Sequence, residues 1–253
     1  MGRNTGNGQA AAAKPIKLPP PDFAMEAAIG GRVAGVDEVG RGPLAGPVMA
    51  AAAIIDPSLM PPALLGRLAD SKALNEAQRS EIAFGLRAEA GRSIWFAVAA
   101  ASVGEIERIN ILQATYLAMR RAVARLPMVP DHLLIDGNRL PPGMPCPGTT
   151  VVKGDARCLS IAAASILAKV LRDEGMKRLA MRYPDYGWAR NAGYPVPDHL
   201  AALRLFGVTR HHRKSFAPVR DLLAATDLRT QDLAVETSSN AIAGDNSKGI
   251  TFT

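Results

Sequence analysis

Only two cysteines, Cys146 and Cys158, occur in 253 residues, and they stand in no metal-ligand spacing. That excludes a disulfide scaffold, gives no sign of a zinc site, and suits a protein of the reducing cytoplasm. A long hydrophobic run is missing as well. The best membrane candidate, Leu44 to Ile55, falls well short of the roughly 20 apolar residues a spanning helix needs and is interrupted by Gly46 and Pro47. It reads as containing a strand, and no membrane association is expected. The first thirty residues have no secretion-signal core: they begin small and polar, carry Arg3, Lys14 and Lys17, and run through Pro19-Pro20-Pro21. No internal repeat is visible.

What is present is ordinary soluble-protein composition, 48% hydrophobic and 21% charged, enough to bury a full core in one large domain or two small ones. Lys and Arg total 30 against 23 Asp and Glu, a net charge of +7. This favours polyanionic partners such as nucleic acid, although incidental basicity explains the number equally well. Residues 1–31 read as a disordered basic arm, and residues 223–253 as a disordered tail with few large apolar side chains to pack.

Between these ends, strand-like and helix-like segments alternate. Arg32 to Val39 and Pro47 to Ile55 are apolar runs joined by a Gly-Arg-Gly-Pro turn, and they should be neighbouring strands. Asn75 with Gln78 has capping-box spacing and predicts a helix to about Ala90, followed by a strand from Ser93 to Ala101. Ser102 with Glu105 repeats the spacing. Ile106, Ile109, Leu112, Tyr116, Met119 and Val123 then predict one long amphipathic helix ending at Pro127. His132 to Ile135 is a short strand delivering Asp136 and Gly137, Thr149 to Val152 a fifth strand, and Ile161 to Ala180 a further helix. Such alternation implies an α/β domain whose strand ends present side chains into a shared cleft.

The acidic residues follow that pattern. Asp37 and Glu38 close one strand, Asp136 closes another, and Asp155 follows Lys153-Gly154 just before a helix. Ionised groups at the end of a buried strand cost several kcal/mol unless paired or bound to metal. Gathered together, these carboxylates would make an all-oxygen site for hard divalent cations, magnesium or manganese. Any one of them alone reads as a strand-end residue facing solvent or pairing with a lysine. Gly40, Arg41 and Gly42 add a tight turn of backbone N–H groups and one guanidinium, suited to a phosphate-bearing ligand.

Several ordered blocks together resemble the bacterial ribonuclease HII family: Val36-Asp37-Glu38-Val39-Gly40-Arg41-Gly42-Pro43, Asp70-Ser71-Lys72, Leu134-Ile135-Asp136-Gly137-Asn138, Lys153-Gly154-Asp155, Ala163-Ala164-Ser165-Ile166-Leu167-Ala168-Lys169, Gly193-Tyr194-Pro195, and His211-His212-Arg213-Lys214-Ser215-Phe216. The resemblance runs from about Arg32 to Leu222, giving a type-2 ribonuclease H domain over residues 32–222. It implies a ribonuclease H-like mixed sheet flanked by helices, with a small C-terminal helical region. It also implies a metal-dependent endonuclease that uses Mn2+ or Mg2+ and is monomeric. Its substrates would be RNA/DNA hybrids and ribonucleotide-containing duplex DNA, with cleavage 5′ of single embedded ribonucleotides. By the same resemblance Asp37, Glu38, Asp136 and Asp155 are the catalytic, metal-binding acids. Gly40, Arg41 and Gly42 match the turn that reads the ribose 2′-OH, Tyr194 matches the aromatic that stacks on the sugar, and Lys72 is a candidate phosphate contact.

Other residues are expected to be secondary. Asp173 reads as a surface or salt-bridging acid rather than a fourth ligand, and Lys169 and Arg213 as phosphate contacts or solvated charges. His211 and His212 are expected to be structural, Trp95 to be core, and Trp188 to pack at the surface of a polar loop. Val196 and Ala162 depart from the family pattern, which usually has threonine and serine there. A nucleic-acid-binding protein of this fold without catalysis would lack acids that are present here, and a strand-transfer enzyme is disfavoured by the Gly-Arg-Gly turn together with Tyr194.

Overall fold

The computed structural model describes residues 19–68 and 74–226; Lys72 lies outside them. Five strands, β1 (Val33–Val39), β2 (Val48–Ile55), β3 (Ile94–Ala101), β4 (His132–Asp136) and β5 (Gly148–Val151), form one sheet in the order β3-β2-β1-β4-β5. The β1–β2 and β2–β3 pairs are antiparallel, whereas β4 runs parallel to β1 and β5 parallel to β4. The sheet is therefore mixed, and β1 and β2 are neighbours as the turn between them requires.

The helices are α1 (Ala24–Ile29), α2 (Pro62–Leu65), α3 (Glu76–Ala88), α4 (Val103–Ala124), α5 (Leu159–Arg182), α6 (Trp188–Asn191) and α7 (Pro197–Phe206), with a last helical stretch at 217–226. Both expected capping boxes form, at Asn75/Gln78 and Ser102/Glu105. Each cap is worth about 1 kcal/mol and fixes where its helix begins.

The strand β2 shows why the sheet is buried on both faces. Ala51, Ala53 and Ile55 pack with α3 and α5, while Ala50, Ala52 and Ile54 pack with α4. Alanine is a poor strand former, and the run is held in the sheet by pairing and burial. Its small side chains let helices approach closely from both sides. Closest approach comes at Gly35 in β1, where any Cβ would overlap the backbone of Ser160 and Ile161 at the start of α5. A third apolar cluster, built on Leu44, Met176, Tyr186, Trp188 and Leu203, joins the C-terminal helices to the end of α5. Among the described residues no helix is long and apolar enough to cross a membrane.

Three expectations change. The predicted long helix is broken at Asn110, whose φ of 65° is left-handed and whose side chain accepts from the N–H groups of Leu112 and Gln113. Asn110 therefore acts as a second N-cap inside an apolar pattern that never lost its period. Trp188 is fully buried, stacked on Tyr186 at 5.2 Å, instead of packing at a surface. The described end of the expected N-terminal arm is folded: α1 buries Glu26, which accepts from the backbone N–H (2.9 Å) and hydroxyl (2.6 Å) of Ser160. Glu26 thus caps α5, whose own N-cap residue, Cys158, provides no side-chain cap.

Candidate active site

Sheet register brings the acids together. The parallel pairing of Val36 with Ile135 sets Asp37 and Asp136 side by side at the C-terminal ends of the two central strands. Asp37 faces α5, where the Ser165 hydroxyl hydrogen-bonds it, and its Oδ1 also accepts from the Glu38 N–H at 2.7 Å. Glu38, one residue on, emerges on the opposite face and meets Arg41 at 3.2 Å. The Oδ1 of Asp136 accepts from the N–H of Gly154 at 2.7 Å, which ties the turn carrying buried Asp155 to the end of β4. A Cβ on Gly154 would press on the Ile161 Cδ1 and crowd Asp136, so a larger residue there would need both to shift.

Asp37, Glu38, Asp136 and Asp155 line one cavity of about 340 Å³ together with Gly40, Arg41, Gly42, Ser165, Lys169, Arg79 and Tyr194. Tyr194 is brought in from the loop after α6, and a methyl group at Gly42 would stand 3.6 Å from its ring. The turn and the aromatic, 152 positions apart in the chain, are thus two walls of the same opening. Glu38, Arg41 and Asp136 also border a neighbouring cavity of about 520 Å³ alongside α4.

Electrostatics mark the cavity as a place for cations. Burial, then the adjacent Glu38 and Asp136 carboxylates, push the Asp37 carboxyl well above its usual range. Burial also raises Glu38, against the pull of Arg41. These carboxylates repel one another in a desolvated site, and a hard divalent ion relieves that repulsion. The donor set fits such an ion, being all oxygen with space beside it for water and a phosphate. The acids do not form a closed cage: among the described residues, no three carboxylate, imidazole or thiol groups stand together as a ready-made metal cluster. Glu38 leans toward Arg41 and Asp136 toward Gly154, leaving an open arrangement.

Neighbouring residues sort into those the sequence read well and those it misread. Asp173 pairs with Lys169 at 2.9 Å and does not line the cavity, as expected of a salt-bridging acid. Arg213 is not a surface phosphate contact: it is fully buried and donates to the carbonyls of Gly40, Arg41 and Gly46. His212 is structural, as expected. Its Nδ1 accepts from the Thr209 N–H at 3.0 Å, so its proton lies on Nε2 and is donated to His199 Nε2 at 3.1 Å. His199 therefore carries its proton on Nδ1 and donates it to the Tyr194 carbonyl at 2.9 Å. Trp188 Nε1–H donates to the same His199 nitrogen at 3.1 Å. Burial pushes His212 down to about 3, which keeps this chain of imidazoles neutral.

Sequence reasoning missed Ser165 and Arg79 as cavity residues. Ser165 lay inside a quoted block without a role, and Arg79 looks like any charged residue in the first turns of a helix. His199 gave no signal at all, because its partners, the Tyr194 carbonyl, Trp188 and His212, are brought to it only by folding.

The model of the family described as ribonuclease HII matches residues 34–219, which is most of the chain and includes all four acids, the turn and Tyr194. The chain belongs to the ribonuclease HII family. It is accordingly a metal-dependent ribonuclease, of the family that cleaves the RNA of RNA/DNA hybrids. A ribonuclease HII from Rhodospirillum rubrum is 60% identical over 208 residues, covering 82% of this chain and 94% of the relative. The fold is similar to that of the ribonuclease H2 from Pyrococcus horikoshii OT3, with 26% identity and a TM-score of 0.62, covering 76% of this chain and 97% of that one. It is also similar to Bst-RNase HIII, solved in complex with Mn2+, at 22% identity and a TM-score of 0.62, covering 77% of this chain and 70% of that one. These likenesses agree with the expected mixed sheet flanked by helices.

Proposed function

We propose that this ribonuclease cuts on the 5′ side of a ribonucleotide, in long RNA/DNA hybrids and where one ribonucleotide is embedded in duplex DNA. The products carry 3′-hydroxyl and 5′-phosphate ends, and the role is removal of misincorporated ribonucleotides. Asp37, Glu38, Asp136 and Asp155 hold two divalent ions, Mn2+ or Mg2+. When bound, such ions supply an activated water and neutralise charge at the leaving oxygen of the phosphodiester. The observation that carries the reading is the meeting of Gly42 with the Tyr194 ring in the cavity that the four acids line.

The protein's own groups then have distinct tasks. Ser165 and the Gly154 N–H hold Asp37 and Asp136 in place. Backbone groups of the Gly40-Arg41-Gly42 turn contact the ribose 2′-OH, the group that separates RNA from DNA, and the absence of a side chain at Gly42, opposite Tyr194, lets the sugar come close. Tyr194, about two-fifths exposed, stacks on the adjacent sugar. Lys169 and Arg79 draw the phosphate backbone to the rim. Lys72 is proposed as a further phosphate contact. Residues 32–222 form the nuclease domain, which works as a monomer in a reducing cytoplasm, consistent with two free cysteines.

The test is cleavage of a DNA duplex carrying one ribonucleotide, compared with a long hybrid and an all-DNA duplex, with Mn2+ or Mg2+. Incision 5′ of the single ribonucleotide, lost in Asp37→Asn, is expected. Equal cutting of the all-DNA duplex, or full activity in the variant, would refute the reading.

A further inference from the structure

Two arginines are buried where no carboxylate answers them. Arg172 and Arg213 are 1% and 0% exposed, and among the described residues neither has an acid at ion-pair distance. A buried guanidinium without a counter-ion is expensive, so its hydrogen bonds show what it is for. Arg213 donates from Nη2 to the Gly40 carbonyl (2.6 Å), from Nη1 to the Arg41 carbonyl (2.8 Å), and from Nε and Nη2 to the Gly46 carbonyl (3.0 and 2.9 Å). Arg172 donates to the carbonyls of Pro47 (3.1 Å), Ala45 (3.2 Å) and Ala192 (3.0 Å). Between them the two side chains engage the start and the end of the Gly40 to Pro47 turn, and the strand of chain leading to Tyr194.

We propose that Arg213, assisted by Arg172, is the positioning residue for ribonucleotide recognition: it draws the turn's carbonyls inward so that the opposite edge of the same peptides faces the substrate. The direction follows from trans geometry. No cis peptide occurs among the described residues, and in a trans unit the N–H points away from the C=O. Fixing the Gly40 and Arg41 carbonyls on Arg213 therefore turns the N–H groups of Arg41 and Gly42 away from it. Gly40, Arg41 and Gly42 line the acidic cavity and Arg213 does not, so those N–H groups lie on the side a 2′-OH would occupy.

Steric details agree. Gly40 has a φ of 88°, and a Cβ on it would strike the Arg172 side chain, so the residue must be glycine for the guanidiniums to come this close. The Phe216 ring lies 5.0 Å from the Arg213 guanidinium carbon and supplies the cation with a partner that does not compete for its donors. Burial, then the Arg172 charge, lowers Arg213 to about 9, still well above neutral, so the clamp keeps its proton.

This inference rests on the ribonucleotide-cleavage reading, and the test separates the two. Equilibrium binding of wild type and Arg213→Lys to a duplex with one ribonucleotide and to its all-deoxy counterpart is measured by fluorescence anisotropy in chelator, and KM and kcat are measured with metal. Lysine keeps a positive charge but cannot reach three carbonyls at once. The ribo-over-deoxy preference is expected to fall about tenfold, the size of one lost neutral hydrogen bond, with KM rising more than kcat falls. A folded Arg213→Lys with unchanged preference would overturn the proposal, since charge alone would then suffice. Wild type with no preference for the ribonucleotide duplex would instead remove the functional reading beneath it. Should Arg213→Lys fail to fold, amide shifts of the wild-type protein decide. Arg41 and Gly42 should respond to the ribonucleotide duplex and not to the all-deoxy one, while the Arg213 Nε–H stays slow to exchange. Indifferent turn amides would refute the proposal.

Discussion

Replacing Asp37 by asparagine should abolish cleavage and at the same time stabilise the metal-free fold. Asp37 is buried, and the desolvation of its carboxylate and the nearby Glu38 and Asp136 charges raise its pKa well above the ordinary 3.8. Each unit of that rise costs about 1.4 kcal/mol of folded stability at neutral pH. Asparagine keeps the acceptor for the Glu38 N–H and a partner for Ser165 while removing the charge. A net gain of about 2 kcal/mol is expected, or about 4–8 °C in Tm for a domain of this size.

The pH sign follows from linkage. Between 3.8 and the raised native value the folded protein binds more protons than the unfolded chain, so wild-type stability falls as pH rises through that window. The advantage of Asp37→Asn should therefore be full above the raised native value and shrink as pH falls toward about 4. Metal reverses the order, because an ion at a hundred times its Kd adds about 2.7 kcal/mol to wild type alone. The assay is calorimetry across pH, with chelator and with Mn2+. A variant less stable than wild type in chelator, or a gap that does not close in acid, would refute the electrostatic reasoning.

Three other outcomes follow from the packing. Gly35→Ala puts a methyl into the backbone of Ser160 and Ile161, and urea unfolding should show a loss above about 4 kcal/mol; a loss under about 1 kcal/mol would mean α5 is not so close. Glu26→Ala leaves the Ser160 N–H and hydroxyl without their acceptor and should cost about 1–3 kcal/mol in the same assay, whereas no change would show that α1 does not cap α5. His212 is lowered from 6.5 to about 3, so the folded state binds fewer protons, and its stabilising contribution is complete above 6.5 and lost as pH falls toward 3. His212→Gln should flatten the acid limb of stability followed by circular dichroism; an unchanged limb would place the acid sensitivity elsewhere.

The acids and the turn were legible because their sequence signals are local. Asp37-Glu38 ends an apolar run, Asp136 ends another, and Gly40-Arg41-Gly42 cannot continue a strand. Capping boxes at Asn75 and Ser102 likewise state their helix starts outright. Arg213 was misread because a charged residue in a charged block defaults to solvent, and only folding shows that four of its donors are taken up by carbonyls far away in the chain. Trp188 was misread for a similar reason, its polar neighbours hiding a ring enclosed by Tyr183, Tyr186 and three histidines. Asn110 broke a helix whose apolar period continued unbroken across it.

The sequence by itself determined the elements, the chemical character of the site and the family, since hydrophobic period, caps and strand-end carboxylates are properties of neighbouring residues. Tertiary structure alone decided that Asp37 lies beside Asp136 through the parallel β1–β4 register, that Gly42 meets Tyr194, and that two buried guanidiniums hold the turn. Each is a contact between distant residues, fixed by sheet pairing and helix packing, for which no local pattern of side chains provides a code.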